Sequence, residues 1–309
     1  MSVEDGFRGT IILENVSLAG ERGIPCIDIG KKCNVNLQIT GENELRTGGI
    51  RVPDSSVLTV VGDGNLTINL NSGKYFGIGN SLDEYHGELN FYQDGGIIIN
   101  ANGMKGIGIG SGLGGVINIK RGHYEFDMKG QEGACIGSVN GDSELFIEYC
   151  DMDIYSGISN GTIIGSVNGD ADIKLENISA KLQGAGNVIT GIGTIAGNSC
   201  MVRLENVNIS SNIRAKECYG IGCRAGKTDI YIGYAAVKSV VQGKSAVAFG
   251  NSVMSAKLYC SNADVGTNAV TEFNSDIGAL EKNIQLENGR AEFILNGQEV
   301  KRQILAARL

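Results

Sequence analysis

An apolar residue followed by glycine recurs along this chain at a nearly constant interval of about 28 residues, the range of repeat lengths found in solenoids. The pairs begin at Ile78, Ile107, Ile136, Ile164, Ile192, Ile221, Phe249 and Ile277. Extended backwards, Ile50 and Ile24 keep nearly the same phase. A unit of this size cannot bury an apolar face except against copies of itself, so the repeat predicts a solenoid.

Apolar and polar residues alternate within each repeat, as in a strand with one buried face. Ile117 and Ile119 form one such pair, and Ile173 and Leu175 are their equivalents two repeats later. Each repeat holds about three short strands between turns rich in Gly, Asn, Asp and Ser, and no segment of helical period separates them. We therefore predict an all-β fold, a single-stranded parallel β-helix of about ten coils. We take it as right-handed, by analogy with parallel crossover connections.

The composition agrees with this fold class. Glycine contributes 47 of 309 residues and proline 2, which argues against a mostly helical globule and against collagen. The mean hydropathy of -0.01 argues against disorder. The 8 cysteines show no CxxC spacing, and Cys150 occupies a slot that other repeats fill with Ile or Val. We interpret the cysteines as reduced thiols of the core.

The predicted β-helix spans residues 1–276, and residues 277–309 hold a last partial coil and a cap. The segment QEVKRQILAARL, residues 298–309, has the apolar spacing of a short amphipathic helix. We expect this helix to be the C-terminal cap of the solenoid.

The first residues resemble the middle of a coil. IILENVSL, at 11–18, matches segments at 173–182 and 202–209. An open solenoid end exposes strand edges, which proteins normally cover. We therefore expect this chain to be part of a longer protein, or its first coil to be covered by something else.

Short glycine signatures carry a resemblance to known proteins. GIGIGSG stands at 106–112, and GIG recurs at 77–79, 191–193 and 220–222. Tandem coils with this signature resemble the Gly-rich β-helix regions of large surface proteins of anaerobic gut bacteria, and more broadly the pectin-lyase-like superfamily. The similarity covers roughly residues 10–275. That superfamily includes polysaccharide lyases, glycoside hydrolases, carbohydrate-binding modules and adhesins, so the resemblance alone does not choose a function.

Charge and hydropathy exclude two classes of partner. The net charge is -8 and no segment concentrates Lys or Arg, which disfavours binding to nucleic acid. No stretch reaches the roughly 18 apolar residues that span a bilayer, so we expect no membrane insertion. Residues 1–25 lack the parts of a signal peptide. The resemblance implies an extracellular or cell-surface location, and the composition leaves the cytoplasm open.

The resemblance suggests a test for catalysis. Polygalacturonase-type hydrolases carry an Asn-Thr-Asp segment, a paired Asp, a Gly-His-Gly and an Arg-Ile-Lys element, and none of the four is present here. Lyases of this fold share only a looser pattern, an acidic Ca²⁺-binding cluster with a basic residue, and that possibility stays open.

Aligned coils bring candidate catalytic residues to one outer face. His123 and Glu125 should lie about 4.8 Å from Asp151 and Asp153 in the next coil. Such a patch could serve glycoside hydrolysis or hold Ca²⁺. The alternative, which we favour, is a solvated charged face with Asp153 beside Lys181.

A second cluster comes from the pentapeptide SVNGD, which occurs at 138–142 and again at 166–170, one repeat later. Stacking places Asn140 over Asn168 and Asp142 over Asp170. Stacked amides can hydrogen-bond along the solenoid, whereas stacked carboxylates repel unless donors or a cation compensate them. We favour a structural ladder over a Ca²⁺ site at Asp142 and Asp170, and we predict no cofactor, with Ca²⁺ as the only candidate.

Aromatic side chains at outward positions indicate a binding surface. They are Tyr92, Phe146, Tyr149, Tyr231 and Tyr234, with asparagine, lysine and arginine between them. Rigid aromatic faces beside amides suit an extended glycan or a protein, although Tyr and Phe are also common strand formers.

We therefore predict a non-catalytic carbohydrate-binding or adhesin-like module of a bacterial surface protein, whose partner is a polysaccharide or a host or cell-surface glycoprotein. Two alternatives stay open. One is a polysaccharide lyase or glycoside hydrolase that acts through the His123 patch. The other is a rigid spacer without a site.

Overall fold

The protein is a parallel β-solenoid of about ten turns, as the sequence predicted. The computed structural model describes residues 1–21, 23–251, 256–273 and 284–305. These residues contain no helix, and their strands join into one sheet. No part of the chain that the structure describes forms a helix long and apolar enough to cross a membrane.

Short strands build the first coils. They are β1 (Ser2–Val3), β2 (Arg8–Glu14), β3 (Ser17–Ala19), β4 (Ile27–Ile29), β5 (Asn34–Thr40), β6 (Glu42–Arg46), β7 (Ile50–Arg51) and β8 (Val57–Gly62).

Longer strands build the rest of the solenoid, and from β12 to β19 a short strand alternates with a long one. The strands are β9 (Asn65–Gly79), β10 (Glu88–Ser111), β11 (Gly114–Ser138), β12 (Asp142–Glu148), β13 (Cys150–Ser166), β14 (Ala171–Glu176), β15 (Ser179–Thr194), β16 (Ser199–Glu205), β17 (Asn208–Cys223), β18 (Lys227–Gly233), β19 (Ala236–Gly250), β20 (Ala256–Phe273), β21 (Ile284–Leu295) and β22 (Gln298–Leu305). Each regular coil thus contains two strands instead of the predicted three, because the long strand pairs with its neighbours both before and after a short interruption, as between Ser156 and Asn160 in β13.

Each coil pairs in parallel with the next, so equivalent residues stack in columns. One inward column contains a buried aliphatic residue from each of six successive coils: Ile117, Leu145, Ile173, Val202, Ile230 and Leu258. All eight cysteines are free and buried, which confirms their interpretation as core thiols. Burial raises the pKa of several of them, for example that of Cys135 to about 12.

Two of the landmark positions are wrong. Ile109, and not Ile107, pairs with both Ile78 and Ile136. The coil before Ile109 is therefore longer than the usual repeat and the next one shorter, and the sequence GIGIG allowed both alignments. At the start of the chain Ile27 pairs with Ile50, whereas Ile24 is 51% exposed. The last landmark, Ile277, and the predicted boundary after residue 276 lie outside the described residues.

The predicted C-terminal helix is also wrong. Residues 298–305 form β22, which pairs antiparallel with β21; residues 306–309 lie outside the described part of the chain. Asn296 and Gly297 connect the two strands, and both have positive φ, at 49° and 80°. An Asn-Gly turn of this kind is a strong hairpin signal. Pairing with the edge of β21 therefore overrides the helical spacing of this segment.

A glycine corner ends the long strand of each coil. It consists of Gly79, Gly110, Gly137, Gly165, Gly193 and Gly222, whose φ angles lie between 129° and 143°. A Cβ at any of them would lie closer than 3.0 Å to the backbone of the next coil. Only glycine satisfies both conditions, which explains the spacing of the apolar-Gly signature.

Candidate functional site

A second corner has one residue with left-handed backbone in each coil, between the short and the long strand from β12 to β19 and inside β20 and β21. We call it the asparagine corner, and its members are Tyr149, Asn177, Asn206, Tyr234, Asn262 and Asn288. Their φ angles lie between 45° and 54°. Asparagine tolerates this conformation because its short polar side chain bonds locally, whereas a bulky residue there is an outlier.

Bonds between coils hold this backbone in place. The amide N–H of Tyr149 donates to the carbonyl oxygen of Glu176 in the next coil at 3.1 Å. The N–H groups of Asn177, Asn206 and Tyr234 make equivalent bonds of 2.9 to 3.0 Å. The left-handed turn is thus fixed by stacking, whichever side chain it carries.

The two tyrosines of this corner project into solvent. Tyr149 is 62% exposed and Tyr234 is 64% exposed. They lie three coil steps apart, about 14 Å at about 4.8 Å per step. Asn177 and Asn206 occupy the two steps between them, and the Asn206 amide donates to Asn177 Oδ1 at 2.5 Å.

An open groove of about 880 Å³ runs beside the asparagine corner. Its walls include five members of that corner, Asn177, Asn206, Tyr234, Asn262 and Asn288. Its other lining residues include the outward column Asp151, Ser179, Asn208, Ala236 and Asp264. Among the described lining residues the charged side chains are the two aspartates. The groove exists because small residues stand between them, one per coil.

A second outward column precedes the corner on the short strands. It contains Phe146, Lys174, Arg203, Tyr231 and Tyr259, one from each successive coil. The rings of Tyr231 and Tyr259 lie 6.4 Å apart at 49°. Tyr259, which the sequence analysis missed, follows Tyr231 by one repeat, and that spacing could have found it. Its hydroxyl donates to Glu287 at 2.6 Å, which raises the pKa of Tyr259.

The cations of this column are held in ion pairs. Lys174 Nζ lies 2.7 Å from Glu176 Oε2, and Arg203 donates to Asp172 Oδ1 at 2.7 Å. Hydrogen bonding to Glu176 raises the pKa of Lys174. The column therefore presents two paired cations, Lys174 and Arg203, between aromatic rings.

The five aromatic residues singled out in the sequence do not form one surface. Tyr149 and Tyr234 belong to the asparagine corner, and Phe146 and Tyr231 to the column before it. Tyr92 lies in an earlier coil, where its partner Arg121 adjoins a register irregularity. One coil thus carries Phe146 and Tyr149, and the coil three steps further carries Tyr231 and Tyr234.

The acidic patch has the predicted register. His123 pairs with Asp151, and Glu125 with Asp153. His123 Nε2 lies 2.8 Å from Glu125 Oε1, and Lys181 donates to Asp153 Oδ2 at 3.2 Å. These four bonded side chains are each about half exposed. What the geometry supports is a solvated face of hydrogen-bonded polar and charged side chains.

The SVNGD segments stack as predicted and form a hydrogen-bonded ladder. Asn168 donates to Asn140 Oδ1 at 3.2 Å, and the amide N–H of Asp170 donates to Asp142 Oδ1 at 2.9 Å. Asp170 Oδ1 in turn accepts the amide N–H of Asn198 at 2.7 Å. Backbone donors thus compensate the stacked carboxylates. Among the described residues, no group of three or more His, Cys, Asp or Glu side chains is arranged to hold a metal ion.

His86, which the sequence analysis did not single out, is the buried titratable group near the start of β10. Its Nδ1 lies 2.5 Å from the carbonyl oxygen of Gly87, and its Nε2 has no hydrogen-bond partner in the described structure. Burial lowers the pKa of His86 to about 4. The imidazole is neutral at neutral pH and packs against Gly115.

Comparison with known proteins finds no family model, no curated protein and no solved structure that matches this chain significantly. The fold class is therefore established by the structure itself. Membership of the pectin-lyase-like superfamily, a bacterial surface origin and the handedness of the solenoid stay predictions.

Proposed function

We propose that this chain is a non-catalytic carbohydrate-binding, adhesin-like module that holds an extended glycan along the asparagine corner and its groove. The observation that carries the proposal is the presence of Tyr149 and Tyr234 at turns that other coils fill with asparagine. The resemblance of the coils to bacterial surface proteins supports a cell-surface glycan as the partner.

Stability does not account for these tyrosines. A strained backbone conformation costs about 1 to 3 kcal/mol, and a largely exposed ring recovers little of that by burial. Strain of this kind concentrates at functional sites. An exposed tyrosine ring offers an apolar face to the C–H groups of a sugar, and its hydroxyl offers a hydrogen bond.

The residues around the two tyrosines also suit the binding of sugars. Asn177 and Asn206 between the tyrosines, and Ser179 and Asn208 in the groove, supply donors and acceptors for hydroxyl groups. The open shape admits a chain that extends past both ends of the site. A spacer without a binding site would need none of these features.

The test is a pulldown of the protein on a panel of insoluble and immobilised polysaccharides, with and without Ca²⁺. The double variant Tyr149→Asn, Tyr234→Asn introduces only asparagine, which this corner already carries in other coils. We therefore expect the variant to fold and to be no longer retained on the polysaccharide. The control variant is Tyr85→Ala, which removes a 56% exposed ring from a different turn. Retention that is unchanged in the double variant would exclude the corner as the binding site.

The same mixtures test the enzyme alternative. New reducing ends, or the absorbance of unsaturated products, would show that the chain cleaves the glycan. The variant Asp153→Asn would then separate the roles, because loss of turnover with binding intact would assign catalysis to the patch of His123, Glu125, Asp151 and Asp153. Retention without products supports the binding module.

A further inference from the structure

We infer that the ligand is a neutral, extended polymer of β-linked pyranose units that lies parallel to the solenoid axis, with one sugar per coil and four sugars from Tyr149 to Tyr234. This inference rests on the proposed function and specifies its ligand. It joins three observations: the spacing of the corner, the hydrogen bonds between its amides, and the charge of the groove.

The spacing of the coils matches the ligand. Successive coils rise by about 4.8 Å, close to the length that one pyranose unit adds to an extended β-linked chain. Tyr149, Asn177, Asn206 and Tyr234 are consecutive members of the corner. A chain in register therefore places a sugar on each tyrosine and two sugars over the asparagines between them.

The side-chain amides of the two asparagines have a fixed orientation. The Asn206 amide donates to Asn177 Oδ1, which orients both side chains. The remaining NH₂ hydrogens and the Asn206 carbonyl oxygen make no other side-chain hydrogen bond within the described residues. The middle of the site thus offers both donors and acceptors to the hydroxyls of two adjacent sugars.

The charge of the groove selects a neutral polymer. Its charged lining residues are Asp151 and Asp264, and the chain carries a net charge of -8. The two cations of the column before the corner, Lys174 and Arg203, form ion pairs with Glu176 and Asp172. A polyuronate or a sulfated glycan would meet repulsion that no cation among the described lining residues offsets.

The tyrosine rings restrict the kind of sugar further. Stacking on tyrosine requires a sugar with an exposed flat C–H face, which pyranoses with equatorial substituents provide. An extended chain of such units suits a straight row of coils. Tyr149 and Tyr234 then hold the first and the fourth sugar, and Asn177 and Asn206 lie under the two sugars between them.

The first experiment is calorimetric titration with cello-, xylo- and manno-oligosaccharides of two to six units, beside oligouronates and amino-sugar oligomers of the same lengths. For one neutral series we expect affinity to rise up to four units and then to level off. Tyr149→Asn and Tyr234→Asn should each weaken binding about tenfold, as loss of a central aromatic contact does. Tighter binding of the oligouronates or of the amino-sugar oligomers, or affinity independent of length, would overturn the inference.

The second experiment moves one end of the site. The double variant Tyr234→Asn, Asn206→Tyr places the tyrosines two coil steps apart and uses only residue types that this corner already carries. We expect the affinity to level off at three units instead of four. A thermal melt confirms that the variant folds.

The outcomes separate this inference from the function on which it rests. If the native chain retains no polysaccharide, the proposed function fails. If it retains a glycan but the length dependence does not follow the moved tyrosine, only the register of one sugar per coil fails. If the variants Phe146→Ala and Tyr231→Ala abolish binding while the corner variants do not, the site lies on the neighbouring column.

Discussion

The glycine corner and the asparagine corner both turn the chain with positive φ, yet they differ in which residues they accept. At the glycine corner an added Cβ would strike the backbone of the next coil, so the position is closed to every other residue. At the asparagine corner φ stays between 45° and 54°, and the side chain stands on the outside. Tyr149 and Tyr234 show that a large residue fits there.

The difference separates structural from functional constraint. A residue that recurs because nothing else fits says little about function. A residue that departs from its column without a packing reason is informative, since the fold did not require it. The tyrosines of the asparagine corner are departures of this second kind.

The largest effect should come from the glycine corner. We expect Gly165→Ala to lower the free energy of unfolding by about 4 kcal/mol, because the methyl group meets the carbonyl of Gly193 and φ is 133°. Urea denaturation measures the change. The matched control is Gly266→Ala, where an added Cβ has nothing within 4 Å. If Gly165→Ala and Gly266→Ala were equally stable, the glycine corner would not exclude other residues, and it would no longer differ from the asparagine corner.

A pH titration tests how closely the region beside the glycine corner is packed. His86 lies against Gly115, and the folded state keeps its imidazole neutral down to a pKa of about 4. In the unfolded chain it binds a proton below about 6.5, so the unfolded state holds more protons in this window. The free energy of unfolding should therefore fall by about 3 kcal/mol as pH drops from about 6.5 to about 4.

The matched variant is His86→Gln, which removes the titrating group. Its stability should vary less over the same pH range, as measured by denaturation at several pH values. If the variant and the native chain lose stability in parallel, other groups cause the acid sensitivity.

The asparagine corner should respond in the opposite sense to the glycine corner. We expect Tyr234→Asn to raise the free energy of unfolding by about 1 kcal/mol, since it relieves backbone strain at a 64% exposed position. The reverse change, Asn206→Tyr, should lower it by a similar amount. Thermal melts of the two variants give the comparison. Destabilisation by Tyr234→Asn would mean that the ring contributes to packing, and the argument for a functional tyrosine would fail.

The smallest effect should come from the SVNGD ladder. Asp170→Asn keeps an acceptor for the amide N–H of Asn198 and loses only the charge, so the expected loss is below about 1 kcal/mol. Calcium should leave the melting temperature of the native chain unchanged. A rise on addition of Ca²⁺ that disappears in Asp170→Asn would instead establish a metal site.

Much of the fold could be predicted because a solenoid repeats its own neighbours. Each apolar position of one coil packs on the equivalent position of the next, so the repeat length in the sequence indicates which residues stack. The errors occurred where local patterns were ambiguous. GIGIG allowed Ile107 or Ile109 as the landmark, and the helical spacing of residues 298–309 concealed the Asn-Gly hairpin turn at 296–297.

The candidate site was only partly predictable. Tyr149 and Tyr234 were singled out as outward aromatics, but so were Phe146, Tyr231 and Tyr92, which lie elsewhere. The backbone conformation of Tyr149 could not be read from its neighbours in the chain. It depends on a hydrogen bond to Glu176, which belongs to the next coil.

The amino-acid sequence by itself determined the repeat, the parallel stacking and the buried thiols, because each follows from which residues recur at one period. The tertiary structure alone decided that the tyrosines stand on a left-handed corner, that a groove runs along this corner, and that Lys174 and Arg203 in the neighbouring column are paired with carboxylates. These properties arise between coils, from the backbone and side-chain contacts that only stacking brings together.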